Sequence, residues 1–106
     1  MSDKLEAFEK YHNTNPHVYD LFVRFAFEIL DAGHTHYSAR AIIDRIRWHT
    51  NIETQGDIFK ISNNQTPYYA RMFSYDYPHH ADFLRQYALQ CGEEKVHQWL
   101  EENHHA

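Results

Sequence analysis

Asn15-Pro16 and Gly33 bracket the pattern that most constrains this chain. Between them Val18, Leu21, Phe22, Phe25 and Ile29 recur at three- and four-residue steps, as far as Leu30. That is the period of an α-helix with one apolar face; a half-buried strand would alternate at every second residue. Proline at the first helical position sacrifices no intrahelical hydrogen bond, asparagine before it is a favoured cap, and glycine accepts the backbone with which helices stop. The spacing predicts a helix from Pro16 to Leu30, with Phe22, Phe25 and Phe27 as packing residues rather than a cofactor box.

The rest of the chain supplies partners for that face. Leu5, Phe8 and Tyr11 are spaced for a short amphipathic helix, and Ser38 is a cap candidate before ARAIIDRIRWH, where Ile42, Ile43 and Ile46 form an apolar stripe. Asp44 lies four residues from Arg40 and three from Arg47, spacings that allow local pairing. Helical period is lost from Thr50 to Ile61, where a β-hairpin or ordered loop turning at Gly56 is expected. Asn63 or Asn64 then caps a third core helix running to about Tyr75, with Tyr69, Met72 and Phe73 inward and Gln65, Tyr68 and Arg71 outward. A fourth helix is predicted over Ala81–Gln90, with Phe83, Leu84 and Tyr87 inward. A last short one docks through Val96, Trp99 and Leu100.

The expected fold is therefore mainly α: a compact domain of four to five helices with a small β-hairpin or ordered loop, which admits a winged-helix-like arrangement. Residues 1–106 form one domain, with a core at 14–90 and an acidic helical extension at 91–106. Hydrophobic residues at 42% and aromatics at 16% are enough to build one core.

Several function classes lose support. No apolar run approaches the ~20 residues of a membrane-spanning helix. The opening MSDKLEAFEK also lacks the layout of a signal peptide, so a cytoplasmic chain without a membrane partner is expected. Cys91 stands alone, which excludes an internal disulfide and an all-cysteine zinc site. Ten histidines include the ligand-type pairs His34-x-His36 and His79-His80. Neither has the spacing of a helical zinc motif, and no metal or other cofactor is expected. Nucleophile-elbow, glycine-rich phosphate-loop and Cys-His patterns are missing, and Glu93-Glu94 and Glu101-Glu102 read as solvated helix positions. The chain is expected not to be an enzyme.

The segments NPHVYDLFVRFA, HYSARAIIDRIRW, GDIFKISNN and YYARMF, in this order, resemble a series found in small proteins of phage, prophage and bacterial genomes. The likeness covers roughly residues 8 to 84. It departs at Ser62, where the series usually has asparagine, and in the acidic C-terminal stretch. The resemblance implies a phage-linked setting inside a bacterial host cell and a mostly helical fold; it brings no activity with it.

Charge distribution suggests where such a protein makes contact. The net charge is −5, yet residues 34–71 carry Arg40, Arg45, Arg47, Lys60 and Arg71 against Asp44, Glu53 and Asp57. This basic third supports a DNA-binding or regulatory reading. Asn64 and Gln65 would face base edges at a helix start, Arg47, Lys60 and Arg71 would hold phosphates or guanine, Tyr68 would stack or bond to backbone, and Arg40 and Asn63 belong to the same set of contacts. The alternative is a small acidic protein that binds and inhibits a host protein, anchored by some of its two tryptophans and eight tyrosines. Homodimerisation through the terminal helices is compatible with either class.

Overall fold

The computed structural model describes residues 3–50, 66–84 and 93–103, and among them the fold is mainly α. Five helices follow in order: α1 (Asp3–Thr14), α2 (Pro16–Asp31), α3 (Ala39–Trp48), α4 (Thr66–Asp76) and α5 (Glu93–Asn103). A 3₁₀ turn, Pro78–His80, follows α4. The expected hairpin at 52–61, the helix start at Asn63 or Asn64, and Tyr87 lie outside the described residues.

The first helical junction differs from the sequence expectation in its chemistry. Asn15 stands at the N-cap of α2 but makes no capping bond there; its side-chain Nδ2 donates to the Tyr11 carbonyl at 3.1 Å and its backbone N–H to the same oxygen at 2.9 Å. Because α1 runs directly into the junction, the last carbonyls of α1 compete for Asn15 and win. Ser38 likewise occupies the N-cap of α3 without a side-chain bond.

Gly33 acts as expected. Its φ of +100° places it in the left-handed region. The N–H groups of Gly33 and His34 close on the carbonyls of Leu30 and Ile29, at 2.9 and 3.4 Å. This is the Schellman arrangement, which satisfies two terminal carbonyls of α2.

The buried residues form one cluster spanning every helix. Val18, Phe22 and Phe25 of α2, Ile42, Ile43 and Ile46 of α3, and Tyr69, Met72 and Phe73 of α4 are at its centre. Leu5 and Phe8 from α1, and Val96, Trp99 and Leu100 from α5, belong to the same cluster, so buried packing runs from the first helix to the last. Each such side chain removed from water contributes roughly 1.5–3 kcal/mol before entropy is counted. α4 is the hub, touching α2, α3, α5 and the 3₁₀ turn. Phe8 adds a ring stack on Tyr68, with centroids 5.1 Å apart.

One further expectation is corrected at the C-terminal side of α4. Residues 81–84 do not begin a helix: they turn, and Leu84 makes an isolated parallel bridge with Tyr37. Phe83 and Leu84 are nonetheless buried, as their apolar character predicts. Pro78 and the Tyr37 N–H bond to the Phe83 carbonyl, 2.9 Å, hold this stretch in a turn against the loop before α3.

Candidate functional site

At its described positions, Tyr68 and Arg71, the outward face expected of the third core helix is buried. Tyr68 is 2% exposed and Arg71 7% exposed. The apolar stripe Tyr69, Met72 and Phe73 is indeed inward, but Phe8 of α1 stacks on Tyr68 and α5 packs against α4, so side chains whose polar tips suggest solvent are covered. Tyrosine and arginine bury long apolar stems readily, so a polar end group alone does not fix their side. Arg71 Nη1 donates to the Pro67 carbonyl at 3.2 Å, within its own helix. Lys60, Asn63, Asn64 and Gln65 lie outside the described residues.

Of the expected contact residues, Arg40 and Arg47 remain on a described surface, both on α3. Burial of Ile42, Ile43 and Ile46 on one side of α3 leaves Arg40, Asp44 and Trp48 on the opposite side at successive four-residue steps, with Arg47 beside them. Asp44 accepts an ion pair from Arg47 at 2.7 Å, and both partners remain solvent-accessible. Such a pair contributes little to stability but limits where the guanidinium points. Arg47 also lies near the Tyr11 phenol, whose pKa is raised, chiefly by burial and against the opposing pull of that guanidinium.

Trp48 completes the face. It is 58% exposed and is the exposed large hydrophobic residue among those described. A leucine or methionine in that position would be unremarkable, but tryptophan carries the largest apolar area and is enriched where partners bind. In the sequence it is one of the two tryptophans and eight tyrosines offered as interface anchors. Its position one residue past Arg47, eight past Arg40, is the signal that assigns it to the outward stripe.

The end of α3 is fixed from beneath. Arg45 lies over the Phe25 ring, 4.3 Å from its centroid, and the His49 ring meets the same ring edgewise at 5.3 Å. Thr50 Oγ1 donates back to the carbonyls of Ile46 and Arg47, at 3.0 and 3.2 Å, where residues 49–50 widen into a π turn. Aromatic packing and side-chain bonds therefore hold the segment from which Trp48 projects.

Two concavities lie elsewhere. A cavity of about 660 Å³ between α4 and α5 has mainly apolar walls, among them Tyr75, Val96 and Leu100. A smaller one, about 460 Å³, lies where the loop before α3 meets residues 79–83. Among the described residues no group of three His, Cys, Asp or Glu side chains is arranged to hold a metal ion, and no helix is long and apolar enough to cross a membrane.

No family model matches this sequence, and no curated protein or solved structure matches it either.

Proposed function

We propose that this chain is a non-catalytic binding domain that docks on a protein partner through the outer face of α3, with Trp48 as the anchor. The observation that carries this reading is the 58% exposure of Trp48 on a helix end that is otherwise packed from below. A helix end fixed beforehand loses little backbone freedom on binding, so more of the area the indole buries appears as affinity. The face holds two arginines, Arg40 and Arg47, against one acid, Asp44. The complementary surface is an apolar pocket for the indole, edged by carboxylate groups that meet Arg40. The resemblance of its motif series to that of small phage and prophage proteins favours a host protein as that partner.

Trp48 also separates this reading from phosphate binding. With Arg71 interior and Arg47 paired to Asp44, the described part of the basic third offers little for neutralising a duplex backbone. A partner captured by the wild-type chain is expected to be lost or weakened roughly 30-fold by Trp48→Ala, on the order of 2 kcal/mol, with the melting midpoint unchanged. Arg40→Glu should slow association with the same partner and reduce its salt dependence. If instead duplex DNA binds at pH 7.5 with a steep salt dependence that Arg40→Ala reduces, while Trp48→Ala leaves protein capture intact, the protein-docking assignment fails.

A further inference from the structure

The docking face of α3 calls for an apolar pocket edged by carboxylates, and the chain carries such a pocket itself. The cavity of about 660 Å³ between α4 and α5 is walled by Ser74, Tyr75, Val96 and Leu100 among others, and its volume lies in the range of sites that take bulky apolar groups. Glu101 lines the same cavity, and both Glu101 and the neighbouring Glu102 are exposed. His97 Nε2 lies 2.9 Å from Glu101 Oε1, and Gln98 Nε2 donates to Glu102 Oε1 at 3.0 Å, so contacts within α5 steady both carboxylates. In sequence α5 carries Glu93, Glu94, Glu101 and Glu102 against Lys95, whereas α3 carries Arg40, Arg45 and Arg47 against Asp44. The helix that presents the indole and the helix that borders the cavity are thus opposite in charge. Within its own chain Trp48 does not fill the cavity, since it is 58% exposed and forms no part of the wall.

We propose that the cavity between α4 and α5 receives the Trp48 indole of a second copy of this chain, an inference that rests on the reading of Trp48 as a docking anchor. Apolar walls take the ring, which is the large hydrophobic group left in water among the described residues. Arg71 also lines the cavity, and a guanidinium stacks on an indole face while its N–H groups stay bonded elsewhere. The arginines of α3 approach the acids of α5, which favours this docking over an indole-to-indole contact that would bring two basic faces together. Each contact joins different surfaces of the two copies, and a two-fold pair makes it twice. Self-association then covers the same indole that a host protein takes, so the two forms of docking compete.

Sedimentation equilibrium of the full chain should give a mean mass that rises above the monomer's with concentration, and Trp48→Ala and Ser74→Phe should each return it to the monomer. Ser74 is half-buried on the cavity wall, so phenylalanine there fills the space the indole needs. Glu101→Arg, an exposed substitution that spares the core, should weaken association by roughly tenfold. A mixing experiment isolates the contact. Isotope-labelled Trp48→Ala keeps the cavity and unlabelled Ser74→Phe keeps the indole, so the amide NMR signals of Val96 and Leu100 should shift on mixing and stay still when unlabelled Trp48→Ala is added instead. Should Ser74→Phe lower the melting midpoint, Glu101→Arg takes its place in the sedimentation measurement, and labelled Trp48→Ala is mixed with wild-type chain. A monomer at every concentration up to about 1 mM, association that survives Trp48→Ala, or a mixture that leaves Val96 and Leu100 unmoved would overturn the proposal. A monomeric wild type whose capture of a host protein still depends on Trp48 would sink the self-contact alone and leave the docking face of α3 standing.

Discussion

Tyr19 and Tyr69 share one aromatic cluster, stacked with ring centroids 6.3 Å apart, yet their hydroxyls have opposite situations. The Tyr19 hydroxyl donates to the Asp76 carboxylate and ties α2 to α4. The Tyr69 hydroxyl is buried without a hydrogen-bond partner among the described residues. A buried polar group forfeits its hydration, and only a bond restores it. Tyr19→Phe is therefore expected to cost roughly 1–3 kcal/mol in urea unfolding, because it leaves the carboxylate without that donor. Tyr69→Phe should be neutral or stabilising in the same measurement. Truncations at the centre behave differently again: Ile46→Ala should cost roughly 2–5 kcal/mol and Phe25→Ala roughly 3–5 kcal/mol, since both leave cavities in a packed interior. That Phe25, Ile46 and Tyr69 face inward follows from spacing. The bond between Tyr19 and Asp76 does not, since it joins residues 57 positions apart.

At the scale of elements, helix ends separate what local sequence controls from what its surroundings decide. Gly33 has a backbone that only glycine adopts without strain, and the space around its Cβ position is open. Gly33→Ala should thus destabilise by about 1–2 kcal/mol through backbone strain alone, read as a lowered melting midpoint. Ser38 makes no capping bond, so Ser38→Ala should change stability by less than about 0.5 kcal/mol, well under the usual loss for a serine cap. A full-sized loss on that substitution would show that the hydroxyl caps α3 in solution. The positions of α1, α2, α3 and α5 follow from apolar period and breakers. The helix expected from Ala81 fails at residues 81–84 because a long-range bond to Tyr37 competes with the local propensity that favoured it.

Across the whole molecule, several tyrosines are withdrawn from water, and this makes stability sensitive to alkali. Burial raises the pKa of Tyr19 and Tyr69 well above the ordinary phenol value; the Asp76 carboxylate adds to the rise at Tyr19, and Tyr11 adds to it at Tyr69. Below the unfolded-state pKa of about 10 both phenols are protonated in either state, and their contribution is complete. As pH rises beyond that point the unfolded chain releases protons that the folded chain retains, so stability falls with pH. The melting midpoint should decline above about pH 10, and Tyr19→Phe and Tyr69→Phe should each flatten the decline. A midpoint that is level through pH 11 would contradict the burial of these phenols.

The sequence by itself determined where α1, α2, α3 and α5 lie and which stripe of each helix is apolar, because both depend on spacing within one turn or two. It could not determine how many sides of a helix are covered. α4 has an apolar stripe like its neighbours, but α1, with Phe8 on Tyr68, and α5, which docks with Trp99 donating to Glu9 of α1, enclose its second side. Tertiary packing thereby removed Tyr68 and Arg71 from the surface and left Trp48 on it. The physical reason is that burial belongs to pairs of elements brought together over the length of the chain, while period belongs to one element alone.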